Sequence, residues 1–256
     1  MESIDQSTGT TGVAQSGPPL AADAGLDLAQ ADGLTFYVMV IYSPRVVSVF
    51  SSCRNPSVLL VGEAPGPRGA NRTGYPFWGD DAGLKLYELI GELGLLDEPF
   101  SPWIPGASPV GASPPAGRYA ITNACTQMPL GDDGKFCAPT VSRLDGEAQR
   151  LLEEIRTLKP RAVLTCGKSS AYTLAKAAIL EGSTPPVWLA RSRSSIKLEQ
   201  TMSALLNQAD VQWRVGGSLA FVTAHPARNQ WTPTKKLGRL HAMVVERLRQ
   251  AISAAD

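Results

Sequence analysis

The amino-acid sequence predicts a single α/β domain built on a doubly wound, four-stranded parallel sheet flanked by helices. Two observations predict it. Four short and nearly continuous apolar runs, VLLVG (58–62), YAIT (119–122), AVLTCG (162–167) and LAFVTA (219–224), read as strands buried on both faces. Helical stretches at 81–95, 143–158, 169–180 and 236–253 alternate with them, with Asp80 or Asp81 and Ser169 as the expected N-caps. Strand alternating with helix is the pattern of a parallel sheet covered on both faces. Open sheets of this kind bind ligands beyond the carboxyl ends of their strands, so the residues just after each run are the place to look for function.

The flanking segments follow from composition. Residues 1–32 carry five acids (Glu2, Asp5, Asp23, Asp27, Asp32), no Lys or Arg and few aromatics, a makeup that buries too little apolar surface to offset its ordering entropy. A disordered acidic tail over 1–32 and a folded domain over 33–256 are expected. The whole chain has a net charge of +1, but without the tail 24 basic residues face 18 acidic ones, about +6. Segments 98–118, rich in Pro, Gly and Ser, and 182–217, with RSRSSIK at 191–197 and a helix expected near 198–208, read as insertions over the sheet's edge or mouth. The β-prone run 35–50 fits either an edge hairpin around Ser43-Pro44 or a helix. No run reaches the roughly 18 apolar residues of a membrane span, and the N-terminus lacks a signal peptide's basic start, so a cytoplasmic protein without a membrane partner is expected. The four cysteines (Cys53, Cys125, Cys137, Cys166) include no CxxC pair and predict reduced structural thiols, not a metal site.

Three segments follow strands: GEAPGPRGANRTGYPFWGDDAG (62–83), ITN (121–123) and AHPARNQWTPTKKLG (224–238). The first resembles the GEAPG…G.PF.G..AG motif of family four uracil-DNA glycosylases, and its NRTG and GD elements are similar to family five. ITN and HPA stand where those families have their TN and HPS segments, and the RNQ continuation is similar to the single-strand-selective relatives. The resemblance covers about residues 57–95, 118–180 and 219–250. It implies a DNA glycosylase that flips a base from DNA and hydrolyses its N-glycosidic bond.

The chemistry assigns roles to these residues. Breaking a glycosidic bond builds positive charge on the sugar and negative charge on the departing base, so a site needs an anion beside the sugar, a donor at the base oxygen and a positioned water. Glu63 is the expected anion and His225 the donor to pyrimidine O2. Asn123 carries both an acceptor and donors, which lets it bind N3–H and O4 of uracil together and reject cytosine. Phe77 is the expected stacking surface for the flipped base. Gly62, Pro65 and Gly66 shape a loop whose backbone approaches the ligand closely. Arg68, Arg72, Arg228, Asn229, Lys235 and Lys236 ring the same mouth as expected DNA contacts, with Arg228 as the wedge that fills the gap left by the flipped base. Trp78 stands where a small residue is expected, and His241, inside a helix, reads as structural.

Families four and five hold an iron–sulfur cluster on four cysteines, an N-terminal CxxC pair and two more after the TN segment. Here Gln127 stands at the expected third ligand, Cys125 is two positions away and 143–158 contains no Cys. The expectation is a cofactor-free, metal-free monomer that acts on DNA by water hydrolysis, since no Lys nucleophile stands in the motif loops. Other readings stay open: excision of a C5-modified cytosine from phage DNA in antiviral defence, a catalytically inactive DNA-binding module of the same fold, or a nucleotide-binding domain. The last lacks both GxGxxG and GK[ST].

Overall fold

Two sheets organise the chain in a computed structural model that describes residues 24–31, 34–104, 111–190, 192–207, 213–227 and 230–253. The elements run β1 (Ala24–Ala31), β2 (Leu34–Val46), β3 (Phe50–Ser51), β4 (Val58–Gly62), α1 (Ala70–Thr73), α2 (Asp81–Glu92), β5 (Tyr119–Asn123) and β6 (Gln127–Leu130). They continue through α3 (Val141–Leu158), β7 (Ala162–Cys166), α4 (Lys168–Leu180), α5 (Val187–Ala190), α6 (Leu198–Asn207), β8 (Arg214–Val215), β9 (Ser218–Thr223) and α7 (Lys236–Ser253).

The main sheet has the strand order β3-β5-β4-β7-β9-β8. Its inner four strands are the four apolar runs, all parallel, and the two-residue strands β3 and β8 close its edges in antiparallel fashion. Every residue of β4, β5 and β7 is buried, as expected of strands covered on both faces. Alternation sends Leu59, Val61, Ala120 and Val163 to a core shared with α3 and α4. Val58, Leu60, Tyr119, Ile121 and Leu164 go to the opposite core, against α2 and α7. Strand order reverses between β4 and β7, whose chains leave toward opposite faces, and this is the switch point where such sheets open a crevice.

The second sheet, β1-β2-β6, is antiparallel. It corrects the reading of the tail: residues 24–31 are a strand paired along its whole length with β2, from Ala24↔Ile41 to Ala31↔Leu34. Backbone pairing supplies the order that their composition does not suggest. Residues 1–23 and 32 of the expected tail lie outside the described residues. The run 35–50 is strand through Val46, not helix, and β2 passes straight through Ser43-Pro44 with an irregularity between Tyr42 and Val46, where a proline's missing N–H is tolerated.

Asp80 caps α2 as expected, its carboxylate accepting from Gly83 N at 2.9 Å. Ser169 is not a cap. Helix α4 starts one residue earlier, behind Gly167, and the Ser169 hydroxyl points elsewhere.

The last strand is tied to the last helix through two rings. Trp231 stacks on His241 of α7 with centroids 4.0 Å apart and planes 10° apart, and its Nε1 donates to Ala224 O at 2.8 Å. His241 Nδ1 is paired with Thr223 Oγ1 at 2.8 Å, so this histidine is structural as expected. Burial lowers its pKa from 6.5 to about 4. Between those values the unfolded chain binds a proton that the folded protein refuses, so stability is full above pH 6.5 and falls as the solution is acidified toward pH 4, by about 3 kcal/mol in all. In urea titrations the stability gap between wild type and His241→Gln is expected to narrow over that interval by roughly 1 kcal/mol per pH unit. A gap that stays constant would show that the imidazole is not held neutral.

Candidate active site

Register places the two motif segments side by side. In the parallel pair β4–β5, Gly62 lies opposite Asn123, and two hydrogen bonds carry the ladder past the strand ends, Ala124 N to Gly62 O at 2.8 Å and Cys125 N to Glu63 O at 2.9 Å. Glu63 and Asn123 therefore leave the sheet together. The bare face of Gly62 is occupied by both neighbours: a Cβ there would overlap the Phe77 ring edge and the Asn123 carboxamide oxygen. Asn123 is 1% exposed, and its Nδ2 is buried without a hydrogen-bond partner. A buried amide donor without any acceptor costs about 1–3 kcal/mol.

Phe77 is 7% exposed and adopts φ 56°, a left-handed conformation unusual for an aromatic residue. Neighbours impose it. Gly83 of α2 abuts the Phe77 carbonyl so closely that any Cβ would collide, and Thr73 Oγ1 holds Trp78 O at 2.9 Å. Trp78 turns away from the cleft. It meets Tyr87 and Trp103 edge-on, at 5.0 and 4.7 Å between centroids, and its Nε1 donates to Ala112 O at 3.0 Å. The described residues of the insertion at 98–118 (105–110 lie outside them) thus back the Phe77 loop and are not among the residues that line the cleft.

Two more groups complete the arrangement. Glu63, half-buried, accepts from Ser169 Oγ at 2.5 Å, which fixes its carboxylate at the first turn of α4, where the helix dipole favours an anion. His225 Nδ1 accepts from Ala227 N at 3.1 Å. A ring nitrogen that accepts carries no proton, so the imidazole is the neutral tautomer with Nε2 as its donor. The His225 and Phe77 rings face each other at 5.8 Å and 29°. Glu63, Phe77, Asn123 and His225 line one cleft of about 720 Å³, with Gly66 and Arg68 on one side and Phe136 and Cys137 on the other.

The profile of the Uracil DNA glycosylase superfamily matches residues 49–249 of this chain. The chain belongs to that superfamily. Relatives match over shorter stretches. A type-5 uracil-DNA glycosylase of Thermus thermophilus is 53% identical over 49 residues, 19% of this chain and 22% of that protein. One of Pyrobaculum aerophilum is 31% identical over 114 residues, 44% of this chain and 46% of its own. One of Mycobacterium bovis is 44% identical over 48 residues, 19% and 18% respectively. The chain spans less than half the length of each of these relatives.

The sequence-predicted residues fall in different places. Gly62, Glu63, Gly66, Phe77, Asn123 and His225 converge, whereas Pro65 is buried beneath the loop. Of the expected DNA contacts, Arg68 is exposed on the cleft, and Arg72 and Lys235 are exposed outside its lining. Lys236 forms an ion pair with Glu199 at 2.5 Å, so its charge is already matched. Arg228 and Asn229 lie outside the described residues. Sequence reasoning missed Ser169, although GKSS directly follows a strand, and missed the wall made by Phe136 and Cys137. It also missed Arg45, which caps α1 by donating to Asn71 O and Arg72 O at 3.0 and 2.9 Å.

The residues present do not fit an iron–sulfur cluster. Among the described residues no three Cys, His, Asp or Glu side chains converge on one point. Burial pushes the thiols of Cys125 and Cys166 up to about 11 and about 12.

The cradle at Gly62 makes a simple prediction. Gly62→Ala forces Phe77 or Asn123 to move, so the variant is expected to lose about 1–3 kcal/mol of stability by overpacking, read from its urea midpoint. An unchanged midpoint would mean the cradle is slack.

Proposed function

We propose that this protein is a monofunctional DNA glycosylase that draws a uracil nucleotide out of DNA into the cleft and hydrolyses its N-glycosidic bond, leaving an abasic site. One observation carries the reading: Asn123, whose buried Nδ2 has no partner within the protein, lines the same cleft as a fixed carboxylate and a neutral imidazole donor. Asn123 Nδ2 then donates to O4 of uracil, and its Oδ1 accepts from N3–H. Cytosine presents an amino group and a bare ring nitrogen at those positions, so both contacts fail, and mismatches of this kind are worth several kcal/mol. Phe77 supplies the stacking surface.

As the C1′–N1 bond breaks, its electron pair stays with the base and collects at O2, where His225 Nε2–H donates. The sugar becomes cationic beside Glu63. Water adds its oxygen to C1′ and releases a proton, and the products are free base and an abasic sugar. No amine attacks C1′ in this scheme, so the enzyme is monofunctional. Preorganised groups of this type typically contribute about 3 kcal/mol each. Arg68, Arg72 and Lys235 are read as phosphate contacts, and residues 227–230, with Arg228 as the wedge, as the element that enters the duplex, on DNA bound by a monomer.

A duplex carrying one uracil opposite guanine, incubated with enzyme and then treated with hot alkali, tests the reading: cleavage at that position supports it. Parallel duplexes with hypoxanthine, 5-hydroxymethylcytosine or its glucosylated form define the substrate. Release of a C5-modified cytosine without release of uracil would move the assignment to a modified-pyrimidine glycosylase. Glu63→Gln and His225→Ala are each expected to cut the single-turnover rate by roughly 10²-fold or more at nearly unchanged DNA affinity. Either variant running at the wild-type rate removes that residue from the mechanism. Borohydride added during turnover is expected to trap no protein–DNA adduct, and a covalent product would require an amine nucleophile.

A further inference from the structure

We infer that Arg150 is the positioning residue of the base reader, gripping the Asn123 backbone from the α3 side of the sheet. The inference rests on the reading of Asn123 as the residue that contacts the base. Arg150 lies on α3, and alternation along β5 turns Thr122 toward α3 and Asn123 toward Gly62 and Phe77. All five N–H groups of its guanidinium have acceptors. Nη2 donates to Asn123 O at 2.7 Å and Ala124 O at 3.3 Å. Nη1 donates to Glu154 Oε1 at 2.6 Å and Thr122 Oγ1 at 3.4 Å, and Nε to Glu147 Oε2 at 2.5 Å. The two carboxylates hold the fork in one orientation, and the fork holds three consecutive residues of the strand end.

The grip continues downstream. Glu147, 6% exposed, accepts at Oε1 from Thr126 Oγ1 at 3.1 Å and from Arg143 Nε at 3.1 Å. Arg143 Nη2 donates to Gln127 Oε1 at 2.5 Å, and Gln127 Nε2 to Ser43 O of β2 at 2.8 Å. Residue 127 is where the resemblance to families four and five places a cluster cysteine. In this chain that segment is fastened to α3 by charge-assisted hydrogen bonds instead. A lysine at 150 has three donors and no planar fork, so it cannot hold both carbonyls and both carboxylates.

A double-mutant cycle separates positioning from general support. Arg150→Met is expected to lower single-turnover excision of uracil by about 10- to 100-fold, the usual cost of misplacing a reacting group by about an ångström. In an Asn123→Ala background the same substitution is expected to change the rate by less than threefold, because the group it positions is gone. Arg150→Lys is expected to fall between wild type and Arg150→Met, and it runs the same cycle if the methionine variant does not fold. Full additivity in either cycle overturns the inference.

A second measurement needs no turnover, so failure of the glycosylase reading is told apart from failure of this one. The side-chain amide protons of Asn123, assigned by their loss in Asn123→Ala, are expected as one NMR pair in wild type and as a shifted or doubled pair in Arg150→Met and Arg150→Lys. An unmoved pair in folded variants overturns the inference, whatever base the enzyme excises.

Discussion

The site depends on an empty space. At the end of β4 a single hydrogen atom stands where any other residue would project a carbon, and the Asn123 carboxamide and the Phe77 ring close over that gap from two directions. The register of β4 against β5 brings Asn123 to Gly62, and the left-handed turn at Phe77 brings the ring. Neither is negotiable by small shifts, because the strands beneath them are fully buried and their backbone partners are taken. Glu63 inherits its place from the same register, one residue further on.

Around that point the protein spends conformational energy locally and recovers it nearby. A left-handed aromatic costs on the order of 1 kcal/mol and persists only where its surroundings overdetermine it. Here the Asp80 cap, the contact of Gly83 with the Phe77 carbonyl and the Thr73 hydroxyl on Trp78 O do so. The aromatic group of Trp78, Tyr87, Phe100 and Trp103 stands behind the same loop. On the α3 side of the sheet, that helix contributes rigidity of another kind, through half-buried ion pairs.

How much of this was legible in the sequence follows from the range of each signal. The four parallel strands and their order along the chain could be read because burial on both faces leaves a continuous apolar run, and the motif residues could be read because they follow those runs directly. Strand β1 was not legible, since its order comes from backbone pairing with β2 and not from its own polar composition. The effect of Trp78 on the pocket was not legible, because sequence position does not reveal which way a side chain turns. Ser169 was misread as a cap because its real partner, Glu63, is 106 residues away. Arg150 looked like one charge among many on an amphipathic helix, and only the fold brings three strand residues to its fork.

The ends of the main sheet have a consequence of their own. Strands β3 and β8 are two residues each, so the outermost strand at either border of the main sheet is very short. A long, flat border would invite a second molecule to add its own strand, the route by which open sheets polymerise. Short borders of this kind give a strand from another molecule little to pair with at the main sheet, whose core is strongly apolar.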